Sequence, residues 1–382
     1  MATVNTSMSG AAGGAASTPL AEHTTLRLGG PAESWTVAEH PDQLVSAVRE
    51  ADAAGRRLLL LGGGSNLVVG DAGFAGHVVR IATSGRRFDS VGDGMVQLTA
   101  EAGEDWDAVV ADTVQQGLGG LECLSGVPGL TGATPVQNVG AYGVEVSEVL
   151  TSVDLLDRHT GRIRTVRAED LGLTYRNSSL KRTEDAVVLR ARFLLRDGGM
   201  SAPVRYGELA RELGVEVGEQ VDVGKAREAV LGLRRAKGMV LDPDDHDTWS
   251  AGSFFTNPIL AEDAVEGTLR RIRDRVGPDA RIPSFAADGG GTKLSAAWLI
   301  ERAGFAKGHA VDGGGDRVRL SGKHTLALTN RGSGTTADLL ELARQVRGGV
   351  RDAFGVLLEP EPVLVDCSLQ SGGPNGRRSD VE

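Results

Sequence analysis

Three consecutive glycines and two small polar side chains, Gly62-Gly63-Gly64-Ser65-Asn66, stand directly after the apolar run Leu58–Leu61. Glycines at the end of a buried strand let the backbone turn tightly and bring its N–H groups against an anion, and Ser65 and Asn66 add side-chain donors. The chemistry this favours is a pyrophosphate cradle, whereas a bare glycine triplet taken alone is a β-turn. No Gly-Lys-Ser/Thr follows, so the segment is not a P-loop. No helix pattern opens at Leu67, so it is not the Gly-x-Gly-x-x-Gly fingerprint either. A second segment, residues 126–143, holds five glycines and two prolines among interleaved apolar residues. Such a stretch is neither a helix nor a central strand, and its buried irregular backbone needs hydrogen-bond partners. A flat polar ligand contacted by Gln137 and Asn138 would supply them; an Ω-like structural loop is the alternative. Two such segments in one domain point to a large phosphate-bearing cofactor.

Further groups are chemically capable but individually bland. Tyr175-Arg176 is an ordinary packing and ion-pairing element, and Gly252-Ser253-Phe254-Phe255-Thr256-Asn257-Pro258 reads as a buried Phe-Phe turn. Glu359 and Glu361 lie at i and i+2 and share one face of an extended strand, which Pro360 and Pro362 keep to a sheet edge. Tyr206, Lys237 and His324 are, singly, surface or structural residues.

The elements that must position these groups divide the chain. His40-Pro41-Asp42 opens a helix with Leu44, Val45, Val48 and Ala51 on one face and Gly55 as its stop. Arg56–Leu61 is a short strand leading into the glycine loop. Val149–Leu155 and Ile163–Val166 form a hairpin around His159-Thr160-Gly161, and Val187–Leu195 alternates apolar and basic residues as a half-buried strand. After Asp197 the pattern turns helical, at 206–213, 224–237 and around Leu299, with a strand at Thr325–Thr329. A long amphipathic helix carries Leu339 to Phe354, and a last proline-broken strand spans Val356–Val365. Order is expected from near Thr24. Residues 1–19 and 368–382 are too polar and small to offset their ordering entropy, which predicts disordered tails.

Composition limits the function. The 382 residues suffice for two domains, and a net charge of −10 disfavours nucleic-acid binding. Two cysteines without zinc spacing predict no metal site and fit a reducing compartment. No apolar run approaches the ~18 residues of a spanning helix and the N-terminus has no signal-peptide pattern, so a cytoplasmic protein without membrane insertion is expected. The oligomeric state is left open, with a monomer favoured.

Gly62-Gly63-Gly64-Ser65-Asn66-Leu67, taken with Pro128-Gly129-x-x-Gly132-Ala133-x-Pro135-x-Gln137-Asn138-x-Gly140-Ala141-Tyr142-Gly143, resembles the FAD domain of the UDP-N-acetylenolpyruvoylglucosamine reductases, a domain of the vanillyl-alcohol oxidase (PCMH) type. The likeness runs from about Thr24 to Val365. It implies an α+β fold, with a two-part FAD-binding domain over 24–197 and a smaller α+β substrate domain over 198–366. The named glycine-segment residues would hold FAD. Tyr175-Arg176-Asn177-Ser178-Ser179-Leu180-Lys181 is similar to the family's active-site arginine motif, with Leu180 in place of the usual Phe. Ser253 matches the family's proton-donating serine, with Thr256 in place of a lysine. Glu361, rather than Glu359, matches the C-terminal glutamate, although Pro362 departs from the family's valine. Arg176, Ser253 and Glu361 are thus the implied catalytic residues, and Glu361 should have a raised pKa so as not to repel substrate. Tyr175, Tyr206, Lys237, Asn257 and His324 join them as implied substrate contacts, Tyr206, Lys237 and Asn257 at a nucleotide diphosphate. The implied reaction is NADPH reduction of FAD, followed by hydride delivery to the vinyl carbon of UDP-N-acetylglucosamine enolpyruvate and protonation of the neighbouring carbon. Rivals are another FAD oxidase of the same domain type and a non-catalytic UDP-sugar-binding module.

Overall fold

The computed structural model describes residues 19–287, 290–311, 313 and 315–370, so most of both expected tails lies outside the described residues. Order begins earlier than Thr24. Leu20 is fully buried in a short 3-10 turn, Leu20–His23, because it fills the core beneath Val69 and Phe74. At the other end Leu369, assigned to the tail on composition, is buried in the C-terminal core.

The first half pairs two sheets. Four strands come first: β1 (Ala32–Ala38), β2 (Leu58–Leu61), β3 (Leu67–Val69) and β4 (Phe74–Ile81). β1, β4 and β2 form a parallel sheet in that order, and helix α1 (Pro41–Ala53) packs on it. Pro41 presets the first turn, and the His40–Gln43 capping box satisfies amides that have no partner inside the helix. The second sheet is antiparallel. Its strands are β5 (Arg86–Gly92), β6 (Met95–Glu101), β7 (Leu118–Gly119), then, past the short hairpin β8 (Gly140–Ala141) and β9 (Val144–Glu145), β10 (Leu150–Asp157), β11 (Ile163–Arg167) and β12 (Ala186–Asp197). The order is β11-β10-β12-β6-β5, with β7 pairing the end of β12. On β12, Ala191, Phe193 and Leu195 face a core closed by Trp106 of α2 (Trp106–Gln115). Arg190 and Arg192 on the opposite face pair with Glu101 and Asp154. Each such fully buried large apolar side chain contributes roughly 1.5–3 kcal/mol, so this core anchors everything the loops carry.

Helices α3 (Gly207–Leu213) and α4 (Val223–Ala236) follow the boundary expected at Asp197, yet their apolar faces pack on Cys123 and Val144 of the first half. Arg227 of α4 clasps Asp107 of α2 with two hydrogen bonds. The remaining elements form a second core: α5 (Glu262–Val276), α6 (Ala296–Arg302) and α7 (Thr336–Phe354), with the sheet β13 (Ile259–Leu260), β14 (Ser284–Ala286), β15 (Thr292–Leu294) and the pair β16 (Val318–Leu320), β17 (Leu328–Asn330). The last strand, β18 (Val363–Val365), runs back into the first half and pairs in parallel with β3, directly after the glycine loop. Asp71 reaches the other way, accepting the first amides of α7 from Thr336 and Ala337. The two halves are therefore stitched together on both sides of residues 62–71. No helix among the described residues is long and apolar enough to cross a membrane.

Candidate active site

The glycine loop turns where β2 ends. Gly64 has φ +59°, and a Cβ there would lie 2.0 Å from the His23 carbonyl oxygen, so only glycine closes this turn. Gly63 passes so near the second segment that a Cβ would stand 2.8 Å from the Gly129 Cα, whereas one on Gly62 would meet only Leu130, at 3.6 Å. The amides of Gly63, Gly64, Ser65 and Asn66 donate to no protein acceptor among the described residues. A run of unengaged N–H groups at a tight turn is an anion-binding concavity, and it fits the pyrophosphate of FAD. The side chains behave differently: Ser65 donates to the Pro128 carbonyl (3.0 Å) and Asn66 to Gln137 (3.0 Å), so they tie the two segments together. Leu67 opens β3 and packs in the core.

The second segment engages part of its backbone with protein, while the amides of Gly129, Leu130, Gln137 and Asn138 donate to no protein acceptor among the described residues. Thr131 donates to Glu104 and Gly132 to Ala102, both at 2.9 Å, while the Gly129 carbonyl accepts from Trp106. A Cβ on Gly132 would lie 2.5 Å from that of Ala102, so protein packing requires this glycine. Pro135 is buried and Ala133 exposed. Asn138 is 1% exposed and its amide is fully engaged: it donates to Glu145 (2.7 Å) and Thr174 (3.1 Å) and accepts from Ser147 (3.0 Å). Gly140 and Ala141 form β8, and Tyr142 and Gly143, with φ of +50° and +82°, close the hairpin in the type I′ manner that needs positive φ at both positions.

Arg176 sits at the third position of a four-residue turn, Thr174 to Asn177, closed by backbone bonds of 3.0 Å in both directions. Its φ of +53° suits glycine rather than arginine. Strain of this kind costs ~1–3 kcal/mol and persists where surroundings over-determine it. Here they do: Nη2 donates to the Gly140 carbonyl (2.6 Å), Nη1 lies 3.8 Å from Glu145 and Nε 3.5 Å from Glu361. The Ser178 hydroxyl anchors the turn on Val136 (2.6 Å), and the Lys181 ammonium bonds the Arg176 carbonyl (2.6 Å).

Glu361 arrives on an extended segment whose amide donates to the Phe254 carbonyl (2.9 Å), while the Thr256 amide donates to the Glu359 carbonyl (3.0 Å). Burial pushes its carboxyl up, and Arg176 and Lys181 pull it part of the way back. Glu359 and Glu361 differ in burial and in partner. Glu359 is exposed and pairs with Arg347 of α7 (3.2 Å). Its stretch makes only an isolated bridge, Phe255 to Pro360, rather than a regular strand. Ser253 lies one residue before Phe254, half-buried, its hydroxyl without a hydrogen-bond partner among the described residues. Phe254 and Phe255, each 1% exposed, fix the segment. Thr256 faces the Glu359 carbonyl (3.4 Å).

Asn257 accepts the first amide of α6 from Ala296 (2.9 Å) and hydrogen-bonds the Tyr175 phenol, which burial raises above its ordinary pKa. Arg176 and Lys293 both lie over the Tyr175 ring, at 5.1 and 4.3 Å. A separate cluster gathers at the end of α4. Lys237 pairs with Glu208 and lies 5.8 Å over Tyr142, against which Tyr206 packs edge-on at 5.6 Å. His324 is pulled down to about 4, chiefly by burial and then by Lys237, Lys307 and Arg234. Arg234 is buried, with Nη2 on the Met239 carbonyl (2.9 Å) and, among the described residues, no hydrogen-bond partner for Nε. The cluster suits an anionic ligand such as a diphosphate.

Sequence reasoning missed Glu145, Lys181, Arg234, Lys293 and Lys307. Lys181 lay inside a recognised motif and Glu145 two residues past one; nothing local marks the others.

Residues 35–167 match the FAD binding domain model and residues 242–365 the C-terminal domain model of UDP-N-acetylenolpyruvoylglucosamine reductase. The chain is 75% identical to the UDP-N-acetylenolpyruvoylglucosamine reductase of Saccharopolyspora erythraea, over 92% of this chain and 95% of that protein. It is 52% identical to that of Mycobacterium ulcerans, over 93% and 96%. Among solved structures, the reductase of Thermus caldophilus superposes with a TM-score of 0.61 at 25% identity, covering 91% of this chain and 97% of that one. With this identity along nearly its whole length, the chain belongs to the UDP-N-acetylenolpyruvoylglucosamine reductase family.

Proposed function

We propose that this FAD-dependent oxidoreductase uses NADPH to reduce the enolpyruvyl C=C of UDP-N-acetylglucosamine enolpyruvate to UDP-N-acetylmuramate, with Arg176, Ser253 and Glu361 as its catalytic residues. The observation that carries the residue assignment is the buried Glu361 carboxyl, 3.5 Å from Arg176 on a segment bonded to the backbone beside Ser253. FAD, when bound, supplies the hydride chemistry; the unengaged amides of Gly63 to Asn66 would hold its pyrophosphate. Residues 24–197 form the FAD part and 198–366 the substrate part, with α3 and α4 riding on the former.

The chain's own share is charge and a proton. Negative charge grows on the enolpyruvyl carboxylate as the neighbouring carbon becomes enolate-like, and the fixed cations Arg176 and Lys181 stabilise that state more than the ground state. Burial pushes the Glu361 carboxyl up, and where it carries a proton it donates to an acceptor instead of repelling the carboxylate. The unengaged Ser253 hydroxyl delivers the proton to the carbon beside the carboxylate. Tyr206, Lys237, Asn257 and His324 bind the nucleotide-sugar end, with His324 neutral at pH 7. The product places the enzyme in peptidoglycan precursor synthesis in the cytoplasm, and so in cell-wall biogenesis, cell shape and division.

Half-reaction spectroscopy tests this reading. The yellow holoprotein should bleach with anaerobic NADPH and recover with the enolpyruvyl sugar. In Ser253→Ala the bleaching should survive and the recovery slow by ~10²–10⁴-fold. A colourless protein that FAD does not reconstitute would sink the reading, and two normal half-reactions in Ser253→Ala would remove the proton-donor assignment. Rapid oxidation by oxygen without the sugar would favour an oxidase.

A further inference from the structure

Arg176 faces two carboxylates. Its Nε lies 3.5 Å from Glu361, and on the other side its Nη1 lies 3.8 Å from Glu145. The hairpin builds the second contact. Glu145 pairs with Gly140 across the Tyr142-Gly143 turn. A Cβ on Gly140 would stand 2.8 Å from Glu145 Cγ and 2.9 Å from Arg176 Nη1. Residue 140 must therefore lack a side chain for the pair to meet. The other Glu145 oxygen accepts from Asn138 at 2.7 Å, and Asn138 is itself locked by Thr174 and Ser147. Glu145 is thus oriented from behind, with its remaining oxygen toward the guanidinium. The Glu145 side chain is 31% exposed, and ion pairs open to solvent contribute little to stability. The Glu145 carboxylate also joins the capping box of the short turn Val146–Glu148, but that local use does not require its approach to Arg176.

We propose that Glu145 is a positioning residue that holds Arg176 and shares its charge, leaving the Glu361 carboxyl in its protonated, hydrogen-donating form. The proposal rests on the reading of Glu361 as an acid group at the substrate. The charged and titratable groups that bear on Glu361 are Arg176, Lys181 and the Tyr175 phenol. The Ser253 segment and the glycine loop meet its backbone, through the Phe254 carbonyl and, at 3.5 Å, the Asn66 amide. Two cations therefore favour ionised Glu361. Among the described residues Glu145 is the carboxylate that contacts one of them from the far side and offsets it.

The test uses full-length FAD-loaded protein. Glu145→Gln removes the charge but keeps an acceptor for Asn138; Glu145→Asp keeps the charge. The titration of Glu361 is read from its protonated-carboxyl infrared band, assigned with Glu361→Gln. The midpoint should fall by about one pH unit in Glu145→Gln, a tenfold loss of proton affinity, and lie between in Glu145→Asp. Because Glu361 acts protonated, lowering its pKa brings the loss of activity to lower pH. The alkaline limb of the enolpyruvyl half-reaction should therefore shift down while NADPH bleaching keeps its rate. A Glu361 midpoint unchanged in Glu145→Gln overturns the proposal, and so does a slower reaction with its alkaline limb in place, which is the mark of a merely structural residue. If Glu145→Gln fails to load FAD, the midpoint is read in Glu145→Ser, which also removes the charge, and an unshifted value there overturns the proposal equally. Native protein that never turns over the sugar defeats the functional reading, while the titration still decides what Glu145 does to Glu361.

Discussion

The two glycine-rich segments are alike in composition but divide their backbone differently between protein and free donors. Among the described residues, 62–66 leave four successive amides without a protein acceptor, whereas 126–143 direct the Thr131 and Gly132 amides and the Gly129 carbonyl to Glu104, Ala102 and Trp106 and leave the Gly129, Leu130, Gln137 and Asn138 amides unengaged. In the first, glycine permits backbones to touch, Gly63 against Gly129 and Gly64 against His23; in the second, it leaves room for side chains, as at Gly132 against the Ala102 methyl and Gly140 against Glu145 and Arg176. Glycine content announces close approach but not what approaches. The first segment presents a row of free donors, and the second adds the Gly129 and Leu130 amides beside it while holding the first segment and Arg176 in place.

The contrast can be broken most forcefully at Gly64. In Gly64→Ala the new Cβ meets a backbone oxygen that has no rotamer to escape into. Purified protein should have lost its flavin, with stability down by at least ~2 kcal/mol. Full flavin content per chain in that variant would locate the cradle elsewhere. Asn138→Ala addresses the second segment. Removing an amide that serves Glu145, Thr174 and Ser147 should cost about 2–3 kcal/mol in chemical denaturation, with FAD affinity changed only a few-fold. The reverse pattern, intact stability with flavin lost, would make the Asn138 side chain ligand-facing. Ser65→Ala is the mildest probe, since it cuts a single bond between the segments, to Pro128. About 1 kcal/mol of stability and a small change in FAD affinity are expected. A large affinity loss would mean that the hydroxyl turns to the ligand instead.

Much of the scaffold was legible in advance. The helix after His40, the hairpin around His159, the half-buried strand ending at Leu195 and the long helix to Phe354 are all where periodicity and caps placed them. Local signals suffice there because amphipathic spacing and end-capping are properties of a few neighbouring residues. The last strand was legible only in part, since its early stretch is extended without a regular ladder and β18 is short. Lys307, Lys293 and Arg234 were invisible, because a lysine or arginine acquires meaning only from what folds against it.

By itself the sequence determined where glycines cluster, where the main helices start and stop, and which motifs the chain shares with the reductases. All of these are local chemistry or direct inheritance. Only the tertiary structure decided which of two glutamates two residues apart is buried, since Glu361 meets Arg176 across a sequence gap that no local rule spans while Glu359 turns to solvent and Arg347. It likewise decided that Asn138 and Glu145 stand behind Arg176, and that His324 is held neutral. Burial and charge are sums over neighbours distant in the chain, and those neighbours are chosen by packing.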